Sequence, residues 1–197
     1  LRSTNLYGVV WQDGAVFDGS TVCGSTTVSQ AFRSAPATMS AWVRASARAD
    51  EMSNNHALTP YPPNAFSGDS PGLGGFGFGL NVWTDGVPGG GLALETGAGA
   101  AIAFHTIGGY SAGTEYFVAL VIGPNQANLY VNGALSATVN ANLPRPAAPP
   151  PLHLGRTNDD TNYNTKRFFR GRLRDARIYT HVLNAGEIGQ LFAAGPA

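Results

Sequence analysis

Charge is scarce in this chain: only 12% of its 197 residues carry any, and 12 basic residues balance 12 acidic ones. A dedicated nucleic-acid partner is excluded on that ground, because it requires a basic excess. Lysine is nearly missing; Lys166 stands alone and every other basic residue is arginine. Cysteine is down to Cys23, which rules out an internal disulfide and any cysteine-built metal site. No asparagine begins an N-x-Ser/Thr sequon, so nothing marks a glycosylated exterior. No apolar run approaches the length of a membrane span, and membrane insertion is not expected. Glutamate is limited to Glu51, Glu95, Glu115 and Glu187, none spaced two or four residues from another carboxylate. The chain begins at Leu1 with neither Met nor a signal-peptide pattern, and reads as a processed or partial product.

What the chain does have is glycine (26), proline (13) and 43% hydrophobic residues, the composition of many short strands joined by tight turns. In "GFGFGLNVW" (75–83), Phe76, Phe78, Leu80 and Val82 share one face by the two-residue period of a strand. "MSAWVRA" (39–45), "AIAFHT" (101–106) and "PLHLG" (151–155) are further strands, the last after a Pro-rich connector. "YFVALVIG" (116–123) is apolar on both faces and predicts a central strand covered on each side. "ANLYVNGALSATV" (127–139) predicts a hairpin, since Asn132-Gly133 suits a turn with two positive φ angles. Only the end of the chain reads as helical. Asn184 and Glu187 form a capping-box pair, Leu183 and Ile188 fall at staple positions, and Leu191 and Phe192 continue the apolar stripe. Segments 50–73 and 156–167 are the long loops, where such scaffolds carry function.

Two motif matches fail on context. "GDSPG" (68–72) fits a nucleophile elbow at Ser70, but no strand leads into it and no helix follows. "GLGGFG" (72–77) fits a dinucleotide loop, yet a strand follows where a helix must face the pyrophosphate. His56, His105, His153 and His181 show no metal-ligand spacing. Glycoside hydrolysis needs two carboxylates facing one sugar ring, and no E-x-D-x-x-E pattern supplies them. The expectation is a protein that is not an enzyme.

The order "MSAWVRA", "TEYFVALVIGPNQANLYVNGAL", "PLHLGR" and "FFRGRLRDARIYTHVLNAGEIGQLF" resembles the laminin G-like, concanavalin-like family. Its closing pattern is matched by Phe169, Gly171, Leu173, Asp175, Ala176, Arg177, Ile178, Tyr179, Leu183, Glu187, Ile188 and Leu191, and "AVFDGS" (15–20) resembles its early turn. The resemblance covers about residues 9–192; the loop at 46–74 is longer than the family core requires. It implies an all-β, two-sheet antiparallel jelly-roll sandwich with one short C-terminal helix, as a single domain over 1–197. It further implies a recognition module for carbohydrate or a protein surface, in an extracellular, cell-surface or virion setting. The alternative is a structural subunit of a larger assembly or oligomer, such as a capsid decoration or adhesin protein.

Five arginines stand within residues 167–177. Arg170, Arg172 and Arg174 alternate with Phe169, Gly171 and Leu173 and predict an outward polar face. As a polyanion site they would be helped by Arg156, Lys166 and Arg167; otherwise they pair with neighbouring strands or cover apolar surface with their stems. Leu173 and Ala176 are three apart although both resemble core positions, which predicts a bulge near Arg174-Asp175. Asp175 then either tethers the adjoining backbone or joins Asp18 in a Ca²⁺ site. Asp159 and Asp160, in "TNDDTNYN" (157–164), are the other candidate calcium ligands, in a loop that otherwise reads as a solvated turn. The expected ligand-binding edge comprises Asn158, Asp159, Tyr163, Trp83, Tyr61 and Tyr110, its aromatics offering flat faces for sugar rings.

Overall fold

The computed structural model describes residues 5–7, 10–11, 14–18, 23–26, 37–46, 58–59, 76–81, 91–98, 101–109, 111, 113–140, 152–154 and 170–197. Side chains are described for 14–17, 38–46, 111, 113–138, 140 and 170–197. The described strands are β1 (Asn5–Tyr7), β2 (Val10–Trp11), β3 (Ala15–Asp18), β4 (Cys23–Thr26), β5 (Ala37–Ala45), β6 (Leu58–Thr59) and β7 (Phe76–Asn81). They continue as β8 (Gly91–Ala98), β9 (Ala101–Gly109), β10 (Glu115–Ile122), β11 (Gln126–Val131), β12 (Ala134–Asn140), β13 (Leu152–Leu154) and β14 (Arg170–Tyr179). The helix α1 (Ala185–Ala194) closes the order. One seven-stranded sheet runs β1-β4-β13-β6-β7-β8-β9 and the other β12-β11-β10-β5-β14-β3-β2. Every described pairing is antiparallel.

The second sheet is built around β10, whose residues Phe117 to Ile122 are all buried. A strand apolar on both faces needs cover on both, and β10 has it. Val118, Leu120 and Ile122 face one way, level with Met39, Ala41 and Leu129, all nearly inaccessible. Phe117, Ala119 and Val121 face the other way and pack with Tyr130 under Leu183 and Ile188. Trp42, Tyr179, Leu191 and Phe192 surround that second cluster. The helix is therefore a lid on one face of the sheet, and the two faces alternate as the sequence period requires.

Local chemistry holds this arrangement. Asn132 (φ 49°) and Gly133 (φ 80°) make the expected hairpin turn between β11 and β12. The Asn132 amide oxygen also accepts from the Phe117 N–H at 3.0 Å, tying the turn to β10. Gly133 is needed for space as well, since a Cβ there would stand 3.0 Å from the Phe192 ring. At the helix start, Asn184 accepts from the Glu187 N–H at 3.0 Å while Glu187 accepts from the Asn184 N–H at 2.7 Å. Thr38, fully buried, donates to the His181 carbonyl and accepts from the Leu183 N–H, both at 3.0 Å. That hydroxyl fixes where the chain leaves β14 to enter the helix. Replacing Asn184 by Ala is expected to cost about 1 kcal/mol of stability, read as a lower denaturant midpoint at unchanged slope.

The expected loop over 50–73 contains β6, and β9 runs three residues beyond the segment read as a strand. Gly77, the last residue of the dinucleotide-like motif, lies inside β7. A strand therefore follows that motif in place of the helix a dinucleotide site requires, and Ser70 lies outside the described residues.

Candidate functional site

On β14, Gly171 and Leu173 are buried, and Arg170, Arg172 and Arg174 point to the helix side of the sheet. The alternation ends at the expected bulge. Arg174 pairs with Trp42 and Arg177 with Ser40, so Asp175 and Ala176 together oppose Ala41. Asp175 takes a positive φ of 49°, a conformation that its short polar side chain tolerates. Beyond the bulge, Arg177 and Tyr179 return to the helix side, level with Ser40 and Thr38.

Strand order now brings together residues far apart in sequence. β5 lies between β10 and β14, so Arg172, Arg44 and Glu115 form one row across three strands. Arg174, Trp42 and Phe117 form the next. Glu115 is held mainly by Arg174, which donates from Nε at 3.0 Å and from Nη2 to the second carboxylate oxygen. Arg172 approaches the same carboxylate at 3.6 Å. These two arginines are half-buried, not the fully outward face the alternation suggests. Their stems lie against Gly14 (φ 127°), just before β3, where a Cβ would meet Arg172 Cγ at 3.2 Å and the Leu173 carbonyl at 2.7 Å. Only glycine fits there.

Arg44 and Arg170 differ from their neighbours. Both are exposed, and among the described residues neither has an ion-pair partner. Arg44 stands directly between Arg172 and Glu115 in register, yet the carboxylate turns to the β14 arginines. Sequence reading missed both Arg44 and Glu115. Glu115 opens β10 and Arg44 is the penultimate residue of β5, neither with a local signal of its partner, and only the β10-β5-β14 order brings them to the arginines.

Trp42 sits in the second row, stacked on Phe192 with ring centroids 5.8 Å apart and tilted against Phe117 at 5.4 Å. Its indole N–H is buried without a hydrogen-bond acceptor, an uncommon feature in a native interior.

Asp175 is committed elsewhere. Its two oxygens accept from Arg177 Nε and Nη2 at 2.6 Å each, and one also takes the Ala197 N–H at 3.4 Å. The Asp175 carboxylate, with the Tyr179 hydroxyl second, pushes the Arg177 guanidinium above its ordinary range. Both Asp175 oxygens are thus engaged by one guanidinium, and the backbone the carboxylate reaches is that of Ala197 beyond the far end of the helix, not the bulge or the loop beside it. Asp18 lies at the end of β3 opposite Arg170 in register. Among the described residues no group of three His, Cys, Asp or Glu side chains could hold a metal ion. Asp159 and Asp160 lie outside the described residues, as do Asn158, Tyr163, Trp83, Tyr61, Tyr110, Arg156, Lys166 and Arg167.

Several known proteins share this architecture. Domain 4 of AbnA, a GH43 extracellular arabinanase from Geobacillus stearothermophilus in complex with arabinotriose, superposes with a TM-score of 0.70 at 17% identity. That match covers 94% of this chain and 81% of the other. A protein from Bacteroides ovatus described as carbohydrate-binding matches with a TM-score of 0.61 at 16% identity, over 96% of this chain and 47% of the other. Trypanosoma rangeli sialidase in complex with sialic acid matches at 0.64 and 18%, over 95% of this chain and 29% of the sialidase. This chain thus spans less than half of the last two proteins. No curated protein matches it by sequence. At these identities the likeness is one of fold. The family model for the concanavalin A-like lectin/glucanases superfamily matches residues 18–189, and the chain belongs to that superfamily.

Proposed function

We propose that this chain is a non-catalytic recognition module that binds carbohydrate. The observation that carries the reading is the match of nearly the whole chain to an arabinanase domain described in complex with arabinotriose, within a superfamily of lectins and glucanases. The similarity of fold to a protein described as carbohydrate-binding adds to it.

Binding without hydrolysis is favoured by where the described carboxylates lie. Glu115 is bound to Arg172 and Arg174, Asp175 to Arg177, and Glu187 closes the helix cap. They stand on three different elements, each engaged with its own partner, whereas glycosidic cleavage needs two carboxyl groups flanking one bond. Asn158, Asp159, Tyr163, Trp83, Tyr61 and Tyr110 are the proposed contact residues. An extracellular or surface location accords with this role.

Electrophoresis through gels containing single polysaccharides, arabinan among them, tests the reading when paired with a reducing-sugar assay. Retardation by at least one polymer without release of reducing ends is expected. Release of reducing ends would replace recognition by catalysis, and migration unaffected by every polymer would remove the carbohydrate ligand.

A further inference from the structure

Asparagine followed by glycine occurs once in this chain, at Asn132-Gly133, and Asn132 is exposed to water. The pair carries its own reactivity. The Gly133 nitrogen can attack Cγ of the Asn132 side chain, and glycine leaves that nitrogen unshielded because it has no Cβ. The N–Cγ bond forms, the Cγ–Nδ2 bond breaks, and ammonia leaves carrying the proton of the Gly133 N–H. Water then opens the five-membered imide at either carbonyl, giving aspartate or isoaspartate. The sequence of steps needs water and no other reactant.

The folded turn opposes the first step. Asn132 (φ 49°) and Gly133 (φ 80°) have the φ angles of a type I′ turn, which sets ψ of Asn132 at about +30°. Tetrahedral geometry at Cα then places the Gly133 nitrogen nearly opposite Cβ, whereas the flat imide ring needs the two eclipsed. Ring closure therefore requires the turn to unwind. Phe117 resists that rotation from one side. Its carbonyl accepts the Asn132 N–H at 2.8 Å, and its N–H donates to Asn132 Oδ1 at 3.0 Å. Phe192 of α1 resists from the other, lying so close to Gly133 that a Cβ there would stand 3.0 Å from its ring. Phe192 is held in turn by stacking on Trp42, and Ile188, one helical turn earlier, is the buried anchor of α1.

We propose that Asn132 is a site of spontaneous deamidation, held back in the folded protein by the hairpin turn and by the helix seated on it. Aspartate at this position retains an oxygen for the Phe117 N–H. Isoaspartate routes the main chain through Cβ and Cγ and lengthens it by one atom. The turn then cannot keep both bonds to Phe117 and the close fit beneath Phe192. Modification is thereby coupled to opening of α1, and a chain that has loosened there is marked and does not reseat.

The test incubates the full chain at mildly alkaline pH and follows each asparagine by peptide mass spectrometry, with isoaspartate distinguished from aspartate by electron-transfer fragmentation. Wild type is compared folded and unfolded in guanidinium, beside folded Ile188→Ala and the milder Asn184→Ala, which covers the case in which the first does not fold. In guanidinium, Asn132 should convert before any other asparagine, to a mixture of both acids. The folded wild type should convert there about ten-fold more slowly or less, because the reaction awaits local opening. The folded helix variants should convert faster than the folded wild type, Ile188→Ala by about three-fold or more. Another asparagine converting first in guanidinium would remove the site. Equal rates in the folded and unfolded wild type would remove the restraint by the turn, and a wild-type rate in every folded helix variant would remove the helix from it.

Discussion

Leu120→Ala is expected to lower the unfolding free energy by about 3–4 kcal/mol, near the middle of the range for leucine truncations in closed cores. Leu120 is fully buried on the central strand of its sheet, between Met39 on β5 and Leu129 on β11. All three are among the largest fully buried side chains, so the space left has no route to solvent and little freedom to collapse. A protein of this size should lose roughly 10 °C in Tm. Leu120→Met, which nearly conserves volume, should cost less than about 1.5 kcal/mol. Thermal unfolding of the two variants separates a packed centre from a loose one: similar small losses for both would contradict the burial described for β10.

The second large effect is expected at the helix. Ile188 is the one fully buried residue of α1, seated on Phe117, Ala119, Val121 and Tyr130. Ile188→Ala should destabilise by about 2–3 kcal/mol, and the loss has a particular character. Ten residues of helix are too few to persist alone in water, so α1 depends on this contact. Hydrogen exchange at the α1 amides should therefore speed up more than at the β10 amides, whose opening follows the global transition. Equal acceleration in both elements would show that helix and sheet open as one unit. The capping box stays intact in this variant, which distinguishes loss of packing from loss of the cap.

Much of this fold is written in short stretches. Asn132-Gly133 dictates its turn because two positive φ angles in succession suit few other pairs. Asn184 and Glu187 mark the helix start because four orphan N–H groups there need acceptors. The bulge at Asp175 showed itself as a broken two-residue period between Leu173 and Ala176. The arginine cluster was only half legible. Alternation places Arg170, Arg172 and Arg174 on one face, but it says nothing of what the next strand brings. Glu115 lies 59 residues from Arg174, and Arg44 earlier still; their meeting depends on β5 lying between β10 and β14. Non-local strand order has no local signature, so the true neighbours of the arginines emerged only from the sheet. Thr38 is a similar case: as one polar residue entering an apolar strand it looks ordinary, and its buried bonds span more than 140 residues.

Exposure of the folded protein to an array of neutral and acidic glycans tests carbohydrate recognition most directly. Saturable binding to at least one glycan, competed by the same free sugar, is the predicted result. A protein that is folded by circular dichroism and melts cooperatively, yet binds no glycan on the array, would contradict it.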